Sequence, residues 1–147
     1  MLFRSNIVEV VENSIAYLRK RTSNKVNYTV AHTSEVIATA INIPLFEWVI
    51  ENLCKNAVDA MGGIGEISFN IQSSGGNVLI DIKDTGKGIA KKHFKDVFKP
   101  GFTTKQRGWG LGLSLSKRII DDYHKGKIFV RSSEVGRGTT FRIILRK

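Results

Sequence analysis

Apolar positions recur along this chain with two periods, and the alternation of those periods predicts the order of its elements. Ile7, Val8, Val11, Ile15 and Leu18 fall three and four apart, which predicts a helix over 7–21 with Ser5 or Asn6 as its N-cap. Leu45, Val49, Leu53, Ala57 and Ala60 repeat the pattern over 44–61, with Pro44 in the first turn and Gly62-Gly63 at the end. A third helix runs through Leu113, Leu115, Ile119 and Ile120 to about Tyr123, where Gly126 stops it. Between the helices the period drops to two. Residues 25–30 alternate as a half-buried strand does, 35–39 form a short second one, and His32 falls in a loop between them. Residues 66–71 and 77–82 make a hairpin around Ser73-Ser74-Gly75-Gly76, and 127–131 with 139–145 make another around Gly136-Arg137-Gly138. This order predicts an α+β two-layer sandwich: a mixed, mostly antiparallel sheet with three helices on one face.

Composition narrows the picture. At 147 residues the chain is expected to be one domain with a substantial core. It has no run of about 18 apolar residues to span a membrane, and Met1 to Asn6 lack the features of a secretory signal. One cysteine, Cys54, excludes an internal disulfide and a cysteine-cluster metal site, in keeping with a cytoplasmic setting. The net charge of +10 raises a nucleic-acid reading, but the basic residues are spread from Arg4 to Lys147 without a recognition helix, a zinc finger or an RNA-binding aromatic pattern. No nucleic acid is expected as a partner.

Two stretches carry candidate chemistry. On the second helix, Asn52, Lys55, Asn56 and Asp59 share the face opposite the apolar stripe. Asparagine is a poor helix former, so two of them at i and i+4 mark a site. The neutral carbonyl oxygen of Asn56 suits a magnesium ion that takes most of its charge from phosphates. Asn52 is a second candidate there, and Lys55 a candidate phosphate contact. The other stretch runs from Asp84 to Leu113, where Asp84-Thr-Gly-Lys-Gly88 and Gly108-Trp-Gly-Leu-Gly-Leu113 bracket a cationic, aromatic flap. Glycines admit close approach of backbone to phosphate, and a helix starting after the second cluster turns N–H groups toward an anion. Asp84 ends an apolar strand, where a carboxylate can accept a hydrogen bond from an exocyclic amine such as that of adenine. Within the flap, 91–95 read as a short helix, Phe94 and Phe98 as anchors, and Thr103, Thr104 and Lys105 as groups reaching toward a γ-phosphate.

With these residues in place, the chain resembles over nearly its whole length the ATP-binding catalytic domain of bacterial sensor histidine kinases, in the superfamily shared with gyrase B, Hsp90 and MutL. Glu51 to Ala60 is similar to the N box, Asp84 to Gly88 to the G1 box, Val97 to Lys105 to the F box and Gly108 to Leu113 to the G2 box. Gly136-Arg-Gly-Thr-Thr140 is similar to the closing glycine-threonine element. One departure is Phe102 after Gly101, where many kinases carry a second Phe after Pro. The resemblance implies the Bergerat-type sandwich with a left-handed βαβ unit, Mg²⁺ on Asn56, adenine on Asp84 supported by Thr139, and a lid over residues 97–112. It implies a nucleotide-binding set of Asp84, Gly86, Gly88, Ile89, Thr103, Thr104, Gly108, Gly110, Leu111, Gly112, Leu113 and Thr139, with Asn52, Lys55 and Lys105 as catalytic candidates.

The same resemblance bears on the reaction. Members that hydrolyse ATP carry a glutamate four residues before the metal asparagine. Asn52 stands there in this chain, and Glu51 is turned roughly 100° round the helix from it. A site without a base for water suits a kinase, since phosphoryl transfer depends mainly on positioning and charge neutralisation. The acceptor is expected to be a histidine on a two-helix dimerisation domain, because His32, His93 and His124 lack the acceptor's helical context. The chain is therefore expected to be the catalytic part of a larger homodimeric two-component kinase and a monomer by itself, with residues 1–22 comprising the linker end and first helix and a response regulator downstream. The alternatives are an ATPase of the same superfamily that works as a conformational clamp, and an anti-sigma-factor serine kinase.

Overall fold

The computed structural model describes residues 1–22, 24–34, 36–102 and 112–147. In chain order the elements are β1 (Phe3–Asn6), α1 (Ile7–Arg19), β2 (Val26–His32), β3 (Ala38–Ile41), α2 (Ile43–Ala60), β4 (Gly65–Ser74), β5 (Asn77–Asp84), α3 (Gly112–Arg118), β6 (Lys127–Glu134) and β7 (Gly138–Arg146). Short 3₁₀ turns at Lys91–His93 and Asp96–Phe98 follow β5, and a π-helical turn at Ile119–Tyr123 continues α3.

Five strands form one sheet in the order β2-β4-β5-β7-β6. β2 runs parallel to β4 and the remaining pairs are antiparallel, so the sheet is mixed and mostly antiparallel, as the sequence pattern predicts. The parallel pair requires a crossover, and α2 lies within it. Alternation sends Ile67, Phe69 and Ile71 of β4, Val78, Ile80 and Ile82 of β5, and Phe141, Ile143 and Leu145 of β7 to one face, where all are buried. The helices cover that face, α1 with Ile7, Val11, Ile15 and Leu18, α2 with Phe46, Val49, Ile50 and Leu53. On the opposite face Asp81 is only 6% exposed. Arg142 clasps its carboxylate through Nε and Nη2 at 2.7 and 2.9 Å, and Arg131 adds a bond at 2.6 Å. This bidentate pairing offsets the cost of burying the charge.

The small differences from the expected elements have local causes. β1 carries no alternating signal in four residues and exists because it pairs antiparallel with β3, Phe3 opposite Ile41 and Asn6 opposite Ala38. Asn6 is the N-cap of α1, and its Oδ1 accepts from both Val8 N–H and Ile37 N–H. That shared acceptor ties α1 to the segment before β3, which begins at Ala38 rather than at residue 35. α1 ends at Arg19, two residues early, where the N–H groups of Lys20 and Arg21 tighten to the Tyr17 and Leu18 carbonyls three residues back and Thr22 Oγ1 donates to the Leu18 carbonyl. His32 is the exposed last residue of β2 rather than a loop residue. The apolar stripe of α2 is rotated toward Phe46, which is fully buried, while Leu45 and Ala60 are half-buried.

The end of the third helix departs furthest from its expected form. After Arg118 the hydrogen bonds lengthen to a π turn, with His124 N–H donating to Ile119 O at 3.0 Å. His124 itself is 6% exposed and bridges two elements. Its Nδ1 lies 2.9 Å from Ile119 O, and its Nε2 accepts from the Asn42 N–H at 3.1 Å. A carbonyl on one side and an N–H on the other dictate the neutral ring with the proton on Nδ1. Asn42 in turn caps α2, its Oδ1 accepting from Leu45 N–H at 3.0 Å.

Burial holds the His124 pKa below its ordinary value of 6.5, partly opposed by the Ile119 carbonyl. The folded protein therefore binds fewer protons at this site than the unfolded chain. Its contribution to stability is complete above the unfolded pKa and is lost as pH falls toward the folded one. Urea unfolding at about pH 7.5 and about pH 5.5 should show a larger acid loss in the wild type than in His124→Gln, with a difference of at most about 1.4 kcal/mol per pH unit. Equal losses in the two proteins would remove His124 from the acid response.

Candidate functional site

Asp84 closes β5 and is 5% exposed. Two backbone amides reach its Oδ1, Gly86 N–H at 2.8 Å and Thr139 N–H at 3.3 Å. Burial raises the carboxyl pKa, and the two amide bonds oppose that rise. The carboxylate is thus held by donors from residues 2 and 55 positions away, which only the β5–β7 pairing brings together.

Glycines make this approach possible. Gly138 has φ +134°, and a Cβ there would overlap the Asp84 carbonyl oxygen. Gly88 has φ +78°, and a Cβ would overlap the Glu134 carbonyl at the end of β6. Gly86 lies against the last turn of α2, where a Cβ would come within 2.8 Å of the Ala60 Cβ. Backbone bonds complete the arrangement: Lys87 N–H donates to Ala60 O at 3.0 Å, and Gly136 N–H donates to Lys87 O at 2.8 Å. The loop after Asp84 is therefore fastened to α2 on one side and to the β6–β7 turn on the other. Ala60 lies one helical turn beyond Asn56, so Asp84 and the amide-bearing face of α2 border the same region.

On α2, Asn56 is half-buried and Lys55 and Asp59 are exposed. Asn52 is turned to α3: its Nδ2 donates to Ser116 Oγ at 3.1 Å, and its Oδ1 occupies the space that a Cβ on Gly112 would take. Ser116 is fully buried. Ile89 donates its N–H to Ser133 Oγ at 2.7 Å, and Leu113 packs against the core. Thr139 is buried, and its hydroxyl lies 2.8 Å from Ser133 Oγ. Val97 and Phe98, the first residues of the expected lid, are buried, Phe98 meeting Phe141 edge to face at 6.0 Å between centroids. Thr103, Thr104, Lys105, Gly108, Gly110 and Leu111 lie outside the described residues.

Ser116 and Ser133 were not singled out from the sequence. Ser133 had a usable signal, because the hairpin register around Gly136 places it opposite Thr139. Ser116 had none, since its contact with Asn52 joins residues 64 apart.

The model of the histidine kinase-, DNA gyrase B- and HSP90-like ATPase family matches residues 41–147. The chain belongs to this family. Within it, the likeness is to the ATP-binding catalytic domains of sensor histidine kinases. Sensor histidine kinase ZraS of Escherichia coli is 44% identical over 97 residues, which are 66% of this chain and 20% of ZraS. The C4-dicarboxylate transport sensor protein DctB of Rhizobium meliloti is 34% identical over 142 residues, 95% of this chain and 22% of DctB. The chain thus spans about a fifth of the length of these relatives. Among solved structures, the nucleotide-free catalytic domain of histidine kinase ThkA superposes with a TM-score of 0.90 at 25% identity, covering 100% of this chain and 96% of that domain. The family's ATP-binding fold accounts for the mixed sheet and the helical layer.

The close approach at Gly138 is testable apart from any ligand. Gly138→Ala should lower unfolding stability by more than about 2 kcal/mol, combining backbone strain with overlap on Asp84. Gly76→Ala, where a Cβ meets nothing within 4 Å, should stay within about 0.5 kcal/mol of the wild type in the same urea titration.

Proposed function

We propose that this domain binds Mg-ATP and transfers its γ-phosphate to a histidine on a dimerisation domain of the parent kinase, in two-component signal transduction. The observation that carries the reading is the buried Asp84 carboxylate, held on Oδ1 by two backbone amides beside the asparagine face of α2. No described residue donates to Oδ2, which fits an acceptor for an exocyclic purine amine. The sensor histidine kinase ZraS and the sensor protein DctB among the relatives support the same reading.

The donor chemistry fits magnesium better than a self-sufficient metal cage. Among the described residues no cluster of three His, Cys, Asp or Glu side chains is present. The Asn56 amide oxygen would be a neutral ligand to an ion whose charge is balanced by the phosphates. When bound, that ion supplies neutralisation of charge on the β- and γ-phosphoryl oxygens. The chain's own groups do the rest. Asp84 orients the base, Lys55 and Lys105 offer point charges to the phosphates, and Thr103, Thr104, Gly108, Gly110 and Leu111 belong to the segment that covers them. In the transfer, the acceptor imidazole nitrogen forms the N–P bond as the bridging P–O bond breaks and ADP leaves.

Asn52 separates this reading from hydrolysis. Its amide has no basicity to activate water, and its Nδ2 is committed to Ser116. The structure of ThkA with the response regulator TrrA, 24% identical with a TM-score of 0.86, supports a response regulator as the downstream partner. The parent is a homodimer through its dimerisation domain in this account, and the kinase machinery faces the cytoplasm. No described helix is long and apolar enough to cross a membrane.

Incubating the domain with ATP labelled at the γ-phosphate and the parent's acceptor segment should yield an acid-labile, base-stable phosphohistidine. Label on serine, or steady phosphate release by the domain alone, would redirect the assignment. Calorimetry should show ATP binding weakened by about 1–3 kcal/mol in Asp84→Asn, the scale of a lost hydrogen bond to a charged group. For Asn56→Ala the loss should appear with magnesium and vanish in EDTA; an equal loss in both would reject it as a metal ligand.

A further inference from the structure

Ser133 lies outside the nucleotide-binding residues identified from the sequence, yet its hydroxyl is the meeting point of three groups around Asp84. It sits on β6 opposite Thr139 on β7. Its Oγ is 2.7 Å from Ile89 N, 2.9 Å from Gly138 O and 2.8 Å from Thr139 Oγ1. The chemistry of those groups settles every proton. Ile89 N–H can only donate and the Gly138 carbonyl can only accept, so the single Ser133 proton goes to Gly138 O. The Ser133–Thr139 contact must then be made with the proton of Thr139.

Thr139 gives its backbone N–H to Asp84 Oδ1 and its hydroxyl proton to Ser133. Neither proton remains to point into the region that Asp84 borders. What Asp84 and Thr139 retain are lone pairs, on the carboxylate and on Oγ1. Against the 6-substituent of a purine such a pair of acceptors matches an amine, which donates, and sets oxygen against oxygen when the substituent is a carbonyl. With the Ser133 hydroxyl gone, Thr139 Oγ1–H is released to rotate and donate.

We propose that Ser133 is a specificity-determining positioning residue, which holds Thr139 as an acceptor and so favours 6-amino over 6-oxo purine nucleotides. The inference rests on the adenine reading of Asp84 above. It concerns Ser133 acting through Thr139, and no contact between Ser133 and nucleotide is required.

The test is the ratio of ATP to inosine triphosphate affinity, measured by calorimetry on the intact domain. The ratio should fall about tenfold in Ser133→Ala, roughly the effect of one hydrogen bond changed from favourable to unfavourable. Thermal melts of each variant without ligand report folding separately, because a loss of structure lowers both affinities and leaves their ratio in place. Thr139→Ser, which keeps the hydroxyl, should preserve the ratio, whereas Thr139→Val should lower it. In the Thr139→Val background, Ser133→Ala should produce no further change, since the hydroxyl through which it acts is absent. An unchanged ratio in Ser133→Ala, or an equal fall with and without the Thr139 hydroxyl, overturns the proposal. Asp84→Asn separates the two levels: if it leaves ATP affinity untouched the adenine reading fails, and if it weakens ATP while Ser133→Ala leaves the ratio intact only this inference fails.

Discussion

A carboxylate buried at the end of β5 imposes the constraint on which the site depends. Asp84 is removed from water, which disfavours its charge, and among the described residues the amides of Gly86 and Thr139 offset that cost. Those amides belong to a loop and to a strand that begins 54 residues after Asp84, at Gly138. The sheet must therefore close before the carboxylate can be accommodated. Gly138 then fits where any side chain would strike Asp84, and Ser133 locks the hairpin to the loop through Ile89.

The second requirement is that α2 stand at a fixed distance from this carboxylate. Three attachments hold it. At its start, Asn42 caps the helix and receives the His124 ring, which ties it to the π turn after α3. Midway, Asn52 docks Ser116 and Gly112 of α3. At its end, Ala60 takes the Lys87 N–H and packs on Gly86. Asn56 lies between the second and third attachments, so its amide is presented by a helix fastened on both sides. Polar residues of a single helix thereby stand in different settings, Asn52 bonded to α3 and Asn56 half-buried one turn further on.

Much of this was legible in the residues themselves. The period of two in β4, β5 and β7 and the period of three to four in α1 and α2 follow from one buried face per element, and that signal is local. Glycine clusters around Asp84 were legible because few residues other than glycine permit such approaches. What escaped was whatever depends on pairing between distant segments. β1 owes its existence to β3, the π turn to the seat that His124 finds beside Asn42, and the buried position of Ser116 to Asn52. Alternation says nothing of these. Asn52 shows the limit most clearly, since its place on the polar face of α2 says nothing of the contacts it makes with Ser116 and Gly112 of α3. Thr139 is similar: its support of Asp84 runs through the backbone N–H, and its hydroxyl answers to Ser133.

The central claim is that a purine amine is read by the free oxygen of Asp84 while Asn56 faces the metal-bound phosphates. A crystal structure of the domain with magnesium and a nonhydrolysable ATP analogue tests it most directly. The account predicts the exocyclic amine within about 3.2 Å of Asp84 Oδ2 and the Asn56 amide oxygen directed at the metal. A purine seated elsewhere, or an amine paired with other groups while Asp84 stays apart, would contradict it.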